Sequence, residues 1–371
     1  MLESLNPHID TRQIACLRAE AAGSTLIVVA GLHGNEPAGI LAARRVLARI
    51  DREQLLRAGE VVALAGNLPA LNSNKRYLAR DLNRVWLDDP SEEDSESRQR
   101  AELEAAIHAA IAARRGPLVV LDLHTSSAAG VPFAVFGDTL AQRDFAGGLP
   151  IPAVLGLNEI LDGAMCQFWA RRGCLCLAVE GGQHQAEDTI ANLEAVILLC
   201  LNRAGMLDSR ALGWIAEARA HLDRRRSGLP RLLEVLERHA ITDADRFQMQ
   251  PGFRNIDVVK RGQLLARDCR GELRARKDGL VILPLYQGSG EDGYFWGRAI
   301  SPLRQSMQAL LRRIVPTATL GWLPGVRRDP ARKRGFLLNA EVVNGMRLAL
   351  LRALGYRRLR RTARGWAVER A

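Results

Sequence analysis

Short apolar runs alternate with helical patterns along the first two hundred residues of the chain. The apolar runs are rich in β-branched residues, as in S-T-L-I-V-V-A, a composition typical of strands buried on both faces. They cover residues 24–30, 61–65, 117–123, 131–136 and 175–179. Apolar side chains at helical spacing follow at residues 37–50, 99–113 and 188–203. Strands that alternate with helices predict an α/β fold, with a mixed, largely parallel sheet and flanking helices over residues 1–208.

The pattern changes after this first part. Residues 209–245 read as a polar helical connector. Residues 246–302 contain short apolar pieces, many glycines and turn signals, and they predict a small C-terminal β-domain that covers the functional site. Residues 303–371 are interpreted as a basic, partly helical C-terminal extension, with an apolar helical segment near residues 337–354.

Charge is distributed unevenly between the body and this extension. The net charge is +11, but residues 303–371 alone hold 16 Arg and Lys against 3 Asp and Glu, so the rest of the chain carries −2. We interpret the extension as an Arg-rich solvated surface. An acidic partner, RNA or an anionic membrane is the alternative that the charge leaves open.

Composition indicates an ordinary globular protein, with 47% hydrophobic and 25% charged residues. The six cysteines include no C-x-x-C pair, so neither a zinc ribbon nor a disulfide framework is indicated. The N-terminal sequence M-L-E-S-L-N-P-H lacks an apolar signal region, and no run of about 18 apolar residues occurs. We therefore expect a cytoplasmic protein without a membrane span.

A metal site is indicated where two of the predicted strands end. His33 and Glu36 lie on a turn after the strand at residues 24–30, where open α/β sheets bind their ligands. Zn²⁺ accepts nitrogen and oxygen ligands, and a catalytic zinc site has three protein ligands. His124 follows the strand at residues 117–123 and is the best third ligand. Asp122 points to the same face of that strand and could orient an active-site group.

Other polar residues fit roles around such a centre. Glu180 ends the strand at residues 175–179 and could move a proton between water and a leaving amine, whereas the alternative is a helix cap. Arg76 could stabilise an oxyanion. Asn83 and Arg84 could bind a substrate carboxylate. Arg76, Asn83 and Arg84 lie in one polar, loop-like stretch, and the alternative is that its charged side chains are simply solvated.

Four motifs occur in a distinctive order, namely H-G-N-E, R-Y-x-x-x-D-L-N-R, D-L-H and V-E-G-G. Together they resemble the succinylglutamate desuccinylase/aspartoacylase family of zinc amidohydrolases, which have a zinc carboxypeptidase-like fold. The resemblance covers residues 24–205 in motif order and implies one Zn²⁺ per subunit. It implies zinc ligands at His33, Glu36 and His124, an acid/base at Glu180, carbonyl polarisation by Arg76, and substrate binding by Asn83 and Arg84. The segment 290–295, G-E-D-G-Y-F, resembles an aspartoacylase segment that brings a tyrosine near the substrate, which makes Tyr294 a further expected contact.

The predicted function is that of a zinc-dependent deacylase, which hydrolyses the amide bond of an N-acyl amino acid or a related small carboxylate-bearing amide. A zinc carboxypeptidase that acts on peptides is the nearest alternative, because the fold and ligand pattern are shared. A binding protein that uses the basic extension is an alternative from another class. The sequence names neither the acyl group nor the amine, and it leaves a homo-oligomer open.

Overall fold

The computed structural model describes residues 8–370 except for 89–92, 227, 316, 323, 331–334, 340–344 and 363–364. The strands are β1 (Gln13–Arg18), β2 (Thr25–Ala30), β3 (Glu60–Ala65), β4 (Leu118–Ser126), β5 (Phe133–Phe136), β6 (Ala153–Leu155), β7 (Leu175–Gln183), β8 (Leu232–Ala240), β9 (Gln248–Met249), β10 (Asp257–Val259), β11 (Leu264–Asp268), β12 (Gly271–Arg274), β13 (Gly279–Ile282), β14 (Asp292–Ala299), β15 (Val326–Arg328), β16 (Gly335–Asn339), β17 (Tyr356–Thr362) and β18 (Gly365–Arg370). The α-helices are α1 (Ala38–Arg52), α2 (Leu68–Asn72), α3 (Ser95–Ala113), α4 (Leu140–Gly147), α5 (Leu157–Ile160), α6 (Met165–Arg171), α7 (Glu187–Arg203), α8 (Leu212–Arg226), α9 (Pro302–Ile314) and α10 (Gly345–Ala353). Short 3₁₀ turns lie at Leu82–Arg84, Ser209–Ala211, Asp243–Asp245 and Thr317–Trp322.

A mixed sheet of eleven strands forms the centre of the molecule, in the order β1-β3-β2-β4-β7-β5-β6-β8-β14-β13-β10. The strands β3, β2, β4 and β7 are parallel neighbours, as are β5, β6 and β8. The edge strand β1, the β7–β5 pair and the strands beyond β8 are antiparallel. The predicted α/β fold with a mixed, largely parallel sheet and flanking helices is confirmed.

Helices cover both faces of this sheet, which explains why the central strands are apolar throughout. All six residues of β2 are buried, and successive side chains point to opposite faces. Leu26 and Val28 pack in the same core as α1 and α7, whereas Ile27 and Val29 pack in the core of α3 and α6. A strand that is buried on both faces has no polar side, as the sequence indicated.

The predicted helical connector is wrong over its second half. Residues 212–226 are helical in α8, but Leu232–Ala240 is strand β8 of the central sheet. The sequence did not indicate this strand because Glu234 places a charged residue at a buried position, where an apolar residue is expected. The Arg298 side chain pairs with Glu234 at 2.9 Å. The strand β8 pairs with β14 from Ala240 opposite Asp292 to Leu233 opposite Ala299, so the central sheet continues across residue 246.

Residues 246–302 are rich in strands, as their sequence predicts. The strands β10, β13 and β14 extend the central sheet, whereas β9, β11 and β12 form a separate sheet of three strands. The C-terminal extension contains α9 and α10, but it also contains a sheet in the order β15-β16-β18-β17, which the sequence did not reveal. Among the described residues, no helix is both long and apolar enough to cross a membrane.

A buried cluster of ion pairs joins the extension to the body. Asp138 follows β5 and is fully buried, and Arg312 of α9 contacts it with Nη2 to Oδ2 at 2.6 Å. Arg357 of β17 also pairs with Asp138, and it pairs with Glu234 of β8 as well. Two arginines of the basic extension are therefore neutralised inside the protein rather than solvated, contrary to the interpretation of the extension as a solvated surface throughout.

Candidate metal centre and active site

The strands β2 and β4 bring the predicted metal ligands to one edge of the sheet. Ala30 and Leu123 are partners in the parallel pairing, so the turn after β2 and the end of β4 lie side by side. The turn packs tightly, because a Cβ at Gly34 would lie 2.1 Å from the carbonyl oxygen of Ala70. The Gly34 N–H also donates to the carbonyl oxygen of Arg76 at 3.2 Å. The turn is thus fixed against the loop that carries Arg76.

His33, Glu36 and His124 form one buried cluster. His33 Nδ1 lies 2.8 Å from Glu36 Oε1, and His124 Nδ1 lies 3.2 Å from Glu36 Oε2. One ligand atom from each residue lies within 4.8 Å of the others. The backbone N–H of Thr125 donates to Glu36 Oε2 at 2.9 Å and orients the carboxylate. Two imidazole nitrogens and a carboxylate oxygen are a donor set that suits Zn²⁺.

The outer nitrogen of each histidine is paired with a carboxylate. His33 Nε2 lies 2.9 Å from Asp81 Oδ1, and His124 Nε2 lies 3.0 Å from Asp122 Oδ2. A carboxylate on one ring nitrogen orients the other nitrogen toward a metal and makes it more basic. This arrangement confirms the predicted position of Asp122 beside His124. Asp81 was missed by the sequence reasoning, although it lies within R-Y-x-x-x-D-L-N-R.

The carboxylates of the cluster are held in their charged form. Burial opposes the ionisation of Asp81, but His33 and Arg76 hold the pKa of its carboxyl well below the usual range. Burial likewise opposes the ionisation of Glu36, and His33 and His124 keep its pKa well below the usual range. An ionised carboxylate and a neutral imidazole are the forms that bind a divalent cation.

Glu180 is the acidic residue of the site without a partner. It lies on β7 opposite His124 in the strand pairing and lines the same cavity as the cluster. Its Oε2 is buried and accepts no hydrogen bond from any described residue. Burial raises the pKa of Glu180 to about 7, although His124 acts in the opposite direction. A carboxyl with this pKa can both accept and donate a proton near neutral pH.

Arg76 places a guanidinium beside the cluster, and Asp81 fixes its position. Arg76 Nη2 lies 2.9 Å from Asp81 Oδ2, and Arg76 Nη1 lies 3.4 Å from Glu36 Oε1. These two carboxylates keep the pKa of Arg76 above its ordinary value despite burial. Arg76 also lines the cavity, so its positive charge is available to an oxygen that becomes negative there.

Asn83 and Arg84 line the same cavity. The Asn83 Oδ1 accepts the N–H of Met165 at 2.8 Å, which fixes the amide. Arg84 Nη2 lies 2.8 Å from Asp292 Oδ2, and Arg238 pairs with the other oxygen of Asp292. Arg238 also lies 3.8 Å from Glu291 Oε2, so the two arginines face two carboxylates here. The Arg84 Nε is buried and has no hydrogen-bond partner among the described residues, so this guanidinium keeps a donor for a ligand. No sequence signal linked Asp292 to Arg84, because the two residues are 208 positions apart.

Comparison with known proteins shows the family to which the chain belongs. Residues 22–201 match the Succinylglutamate desuccinylase/Aspartoacylase catalytic domain. The succinylglutamate desuccinylase of Burkholderia thailandensis is 30% identical over 262 residues, which cover 66% of this chain and 70% of that relative. The chain belongs to the succinylglutamate desuccinylase/aspartoacylase family. Members of this family are deacylases, and the matched range contains every predicted site residue except Tyr294.

Two further comparisons show how far the family resemblance extends. The succinylglutamate desuccinylase of Photorhabdus laumondii is 35% identical over 85 residues, which span 23% of this chain and only 26% of that relative. The crystal structure of a succinylglutamate desuccinylase/aspartoacylase from Rhodobacter sphaeroides superimposes with a TM-score of 0.58 and 19% identity, and it covers 76% of this chain and 87% of its own. The likeness to this solved structure shows the shared fold.

The family resemblance also predicted that Tyr294 contacts the substrate, but the structure does not bring Tyr294 into the cavity. Its ring stacks on His239, with centroids 4.8 Å apart, and packs near Phe247. The side chains of β14 alternate between two faces, and Phe295 lines the cavity instead.

The segment between β13 and β14 contributes to the lining of the cavity. Leu283, Leu285 and Gln287 are among its lining residues. The Gln287 Oε1 accepts a hydrogen bond from the Asn35 Nδ2 at 3.1 Å and lies 3.1 Å from His184 Nε2. This segment is therefore tied to the turn that carries His33 and Glu36.

Proposed function

We propose that the protein is a zinc-dependent deacylase that hydrolyses the amide bond of an N-acyl amino acid or a related small carboxylate-bearing amide. The observation that carries the proposal is the carboxyl group of Glu180 beside a His-Glu-His cluster: its Oε2 is buried without a hydrogen-bond partner among the described residues, and its pKa is raised to about 7. Membership of a family of deacylases supports the same reaction class.

His33, Glu36 and His124 would hold one Zn²⁺ per subunit. Bound there, zinc supplies Lewis acidity, which polarises an amide carbonyl and lowers the pKa of water. Asp81 and Asp122 support this role because each accepts a hydrogen bond from the outer nitrogen of one histidine.

Glu180 carries the proton in this mechanism. Its free carboxylate oxygen accepts a proton from the attacking water, and the resulting carboxylic acid donates that proton to the departing amine. A pKa of about 7 suits both steps, because neither protonation state is strongly disfavoured at neutral pH. The products are a free carboxylic acid and an amino acid or amine.

Arg76 stabilises the negative charge that develops on the carbonyl oxygen. Its guanidinium is held by Asp81 and lines the cavity beside the cluster, so little reorganisation is needed when the charge appears. Removal of one such donor typically lowers kcat by about 10²–10³-fold.

Arg84 and Asn83 bind the carboxylate of the substrate. Arg84 lines the cavity, and its Nε is buried without a hydrogen-bond partner among the described residues, so the guanidinium has a donor left for a substrate carboxylate. A guanidinium binds a carboxylate through two parallel hydrogen bonds. Because the curated relatives are named succinylglutamate desuccinylases, an N-succinyl amino acid is the first substrate to test.

The test is a panel of N-acetyl, N-succinyl and N-formyl amino acids, assayed with the zinc-loaded and the chelator-treated protein. We expect hydrolysis of at least one acyl class, its loss after metal removal, and its recovery on addition of zinc. Short peptides with a free C-terminal carboxylate form the comparison set. Faster hydrolysis of the peptides, or full activity without metal, would contradict the proposal.

A further inference from the structure

Helix α9 exposes a continuous apolar stripe. Leu303, Met307, Leu310 and Ile314 have relative exposures of 81%, 54%, 57% and 62%. Their spacings of four, three and four residues place them on one side of a helix, within an arc of about 60°. Large apolar side chains rarely form a contiguous exposed group on a protein that has no partner there.

The opposite side of α9 is fixed to the protein body. Gln308 and Arg312 are buried, and Arg312 reaches Asp138 in the buried ion-pair cluster. The Arg143 Nη2 also donates to the Gln308 Oε1 at 3.1 Å. The helix is therefore held in one orientation, and the apolar stripe points outward because the polar side is anchored inward.

Exposed positive charge accompanies the stripe. Arg304 and Arg313 flank it on its two sides at helical angles of about 100° and 280°, measured from Leu303. Arg313, Arg327 and Arg328 are exposed and have no carboxylate partner among the described residues. The extension as a whole has a net charge of +13. Two arginines therefore flank the apolar side of α9, and the same extension carries further guanidinium groups without a carboxylate partner in the described part of the chain.

The positive charge of the extension indicates which kind of partner binds the apolar stripe. A second copy related by a two-fold axis would bring the same basic extension against itself, and that arrangement is repulsive. RNA would satisfy the arginines but leave the apolar side chains in water. An anionic bilayer accepts both, because apolar side chains insert at the level of the acyl chains while arginines meet the lipid phosphates.

We propose that α9 docks the protein on anionic lipid surfaces, as a peripheral helix that lies in the interface. Leu303, Met307, Leu310 and Ile314 enter the acyl boundary, and the flanking arginines bind headgroups. Trp322 is 83% exposed and belongs to a residue type that favours the interface. This inference is independent of the deacylase proposal.

Co-sedimentation of the full-length protein with vesicles tests the inference. Vesicles of phosphatidylcholine with about 30% phosphatidylglycerol are compared with phosphatidylcholine alone, at low and at high salt. We expect binding to the anionic vesicles to be at least about tenfold tighter than to the neutral ones, and to weaken as salt rises. The variant Leu303→Ser/Leu310→Ser should bind at least about tenfold more weakly.

A matched control keeps the result interpretable. Leu212 and Val258 are 62% and 65% exposed and lie outside the extension, so Leu212→Ser/Val258→Ser removes similar apolar surface elsewhere. We expect this control to bind like the unmodified protein, and all variants to keep the same unfolding midpoint. Absence of vesicle binding, or equal loss in the stripe variant and the control, would overturn the inference. A dimer in light scattering that dissociates in the Leu303→Ser/Leu310→Ser variant would also overturn the inference. The same holds if the protein binds RNA but not vesicles, and the Leu303→Ser/Leu310→Ser variant still binds RNA equally well.

Discussion

The carboxyl of Glu159 makes stability depend on pH in a defined direction. Glu159 lies on α5, a helix that packs against β17 of the extension and whose neighbouring residues Leu157 and Asn158 line the cavity. Both carboxylate oxygens are buried and have no hydrogen-bond partner among the described residues. Burial raises the pKa of Glu159 from 4.5 to about 7, although the charge of Arg357 acts against it.

The sign and size of the effect follow from the two pKa values. A raised pKa means that the folded protein binds this proton more tightly than the unfolded chain, so stability falls as pH rises from 4.5 through about 7. Relative to a carboxyl that stays protonated, Glu159 lowers the free energy of unfolding by about 1 kcal/mol at pH 5 and by about 3 kcal/mol at pH 8. Glu159→Gln cannot ionise. We therefore expect it to raise the free energy of unfolding by about 2 kcal/mol more at pH 8 than at pH 5.

Urea unfolding of the unmodified protein and of the Glu159→Gln variant at the two pH values measures this difference. Glu217→Gln, at an exposed position on α8, is the matched control, and we expect its effect to be the same at both pH values. If Glu159→Gln has the same effect at pH 5 and pH 8, or destabilises the protein more at pH 8, the buried carboxyl does not have the raised pKa assigned to it.

Three further predictions concern the metal centre, the substrate and the extension. Asp122→Asn should weaken zinc binding by about 10–100-fold in competition with a chelator, because it replaces the negatively charged acceptor on His124 Nε2 with a neutral amide; unchanged affinity would contradict this role. Arg84→Met should raise KM for a carboxylate-bearing substrate while leaving an uncharged analogue unaffected, and an equal effect on both would exclude a carboxylate contact. Arg312→Met should lower the free energy of unfolding by about 3 kcal/mol, since it leaves Asp138 short of a partner, whereas Arg313→Met at an exposed position should have little effect in the same urea titration.

Much of the fold was predictable because its strands are uniformly apolar. In β2 and β3 every residue is buried, so each strand appears as a short apolar run bounded by polar turns. The failures occur where a strand carries buried charge. Glu234 in β8 and Arg357 in β17 are buried because they pair with each other. These two residues are 123 positions apart, and local periodicity contains no information about such pairing.

The candidate site shows the same division between local and distant signals. His33 and Glu36 belong to one turn, and His124 ends a neighbouring strand, so strand order alone brings them together. Asp81 was within a recognised motif, but its contact with His33 depends on how the loop folds back over the turn. Tyr294 and Phe295 are adjacent in sequence, and only the register of β14 decides which of them faces the cavity.

The central claim is that Glu180 carries the proton at a zinc centre formed by His33, Glu36 and His124. It is tested most directly by measuring bound zinc and the rate of amide hydrolysis in the same sample of Glu180→Gln. We expect about one zinc per chain, as in the unmodified protein, and hydrolysis slower by at least about 100-fold. A Glu180→Gln protein with full zinc content and an unchanged rate would show that Glu180 does not carry the proton.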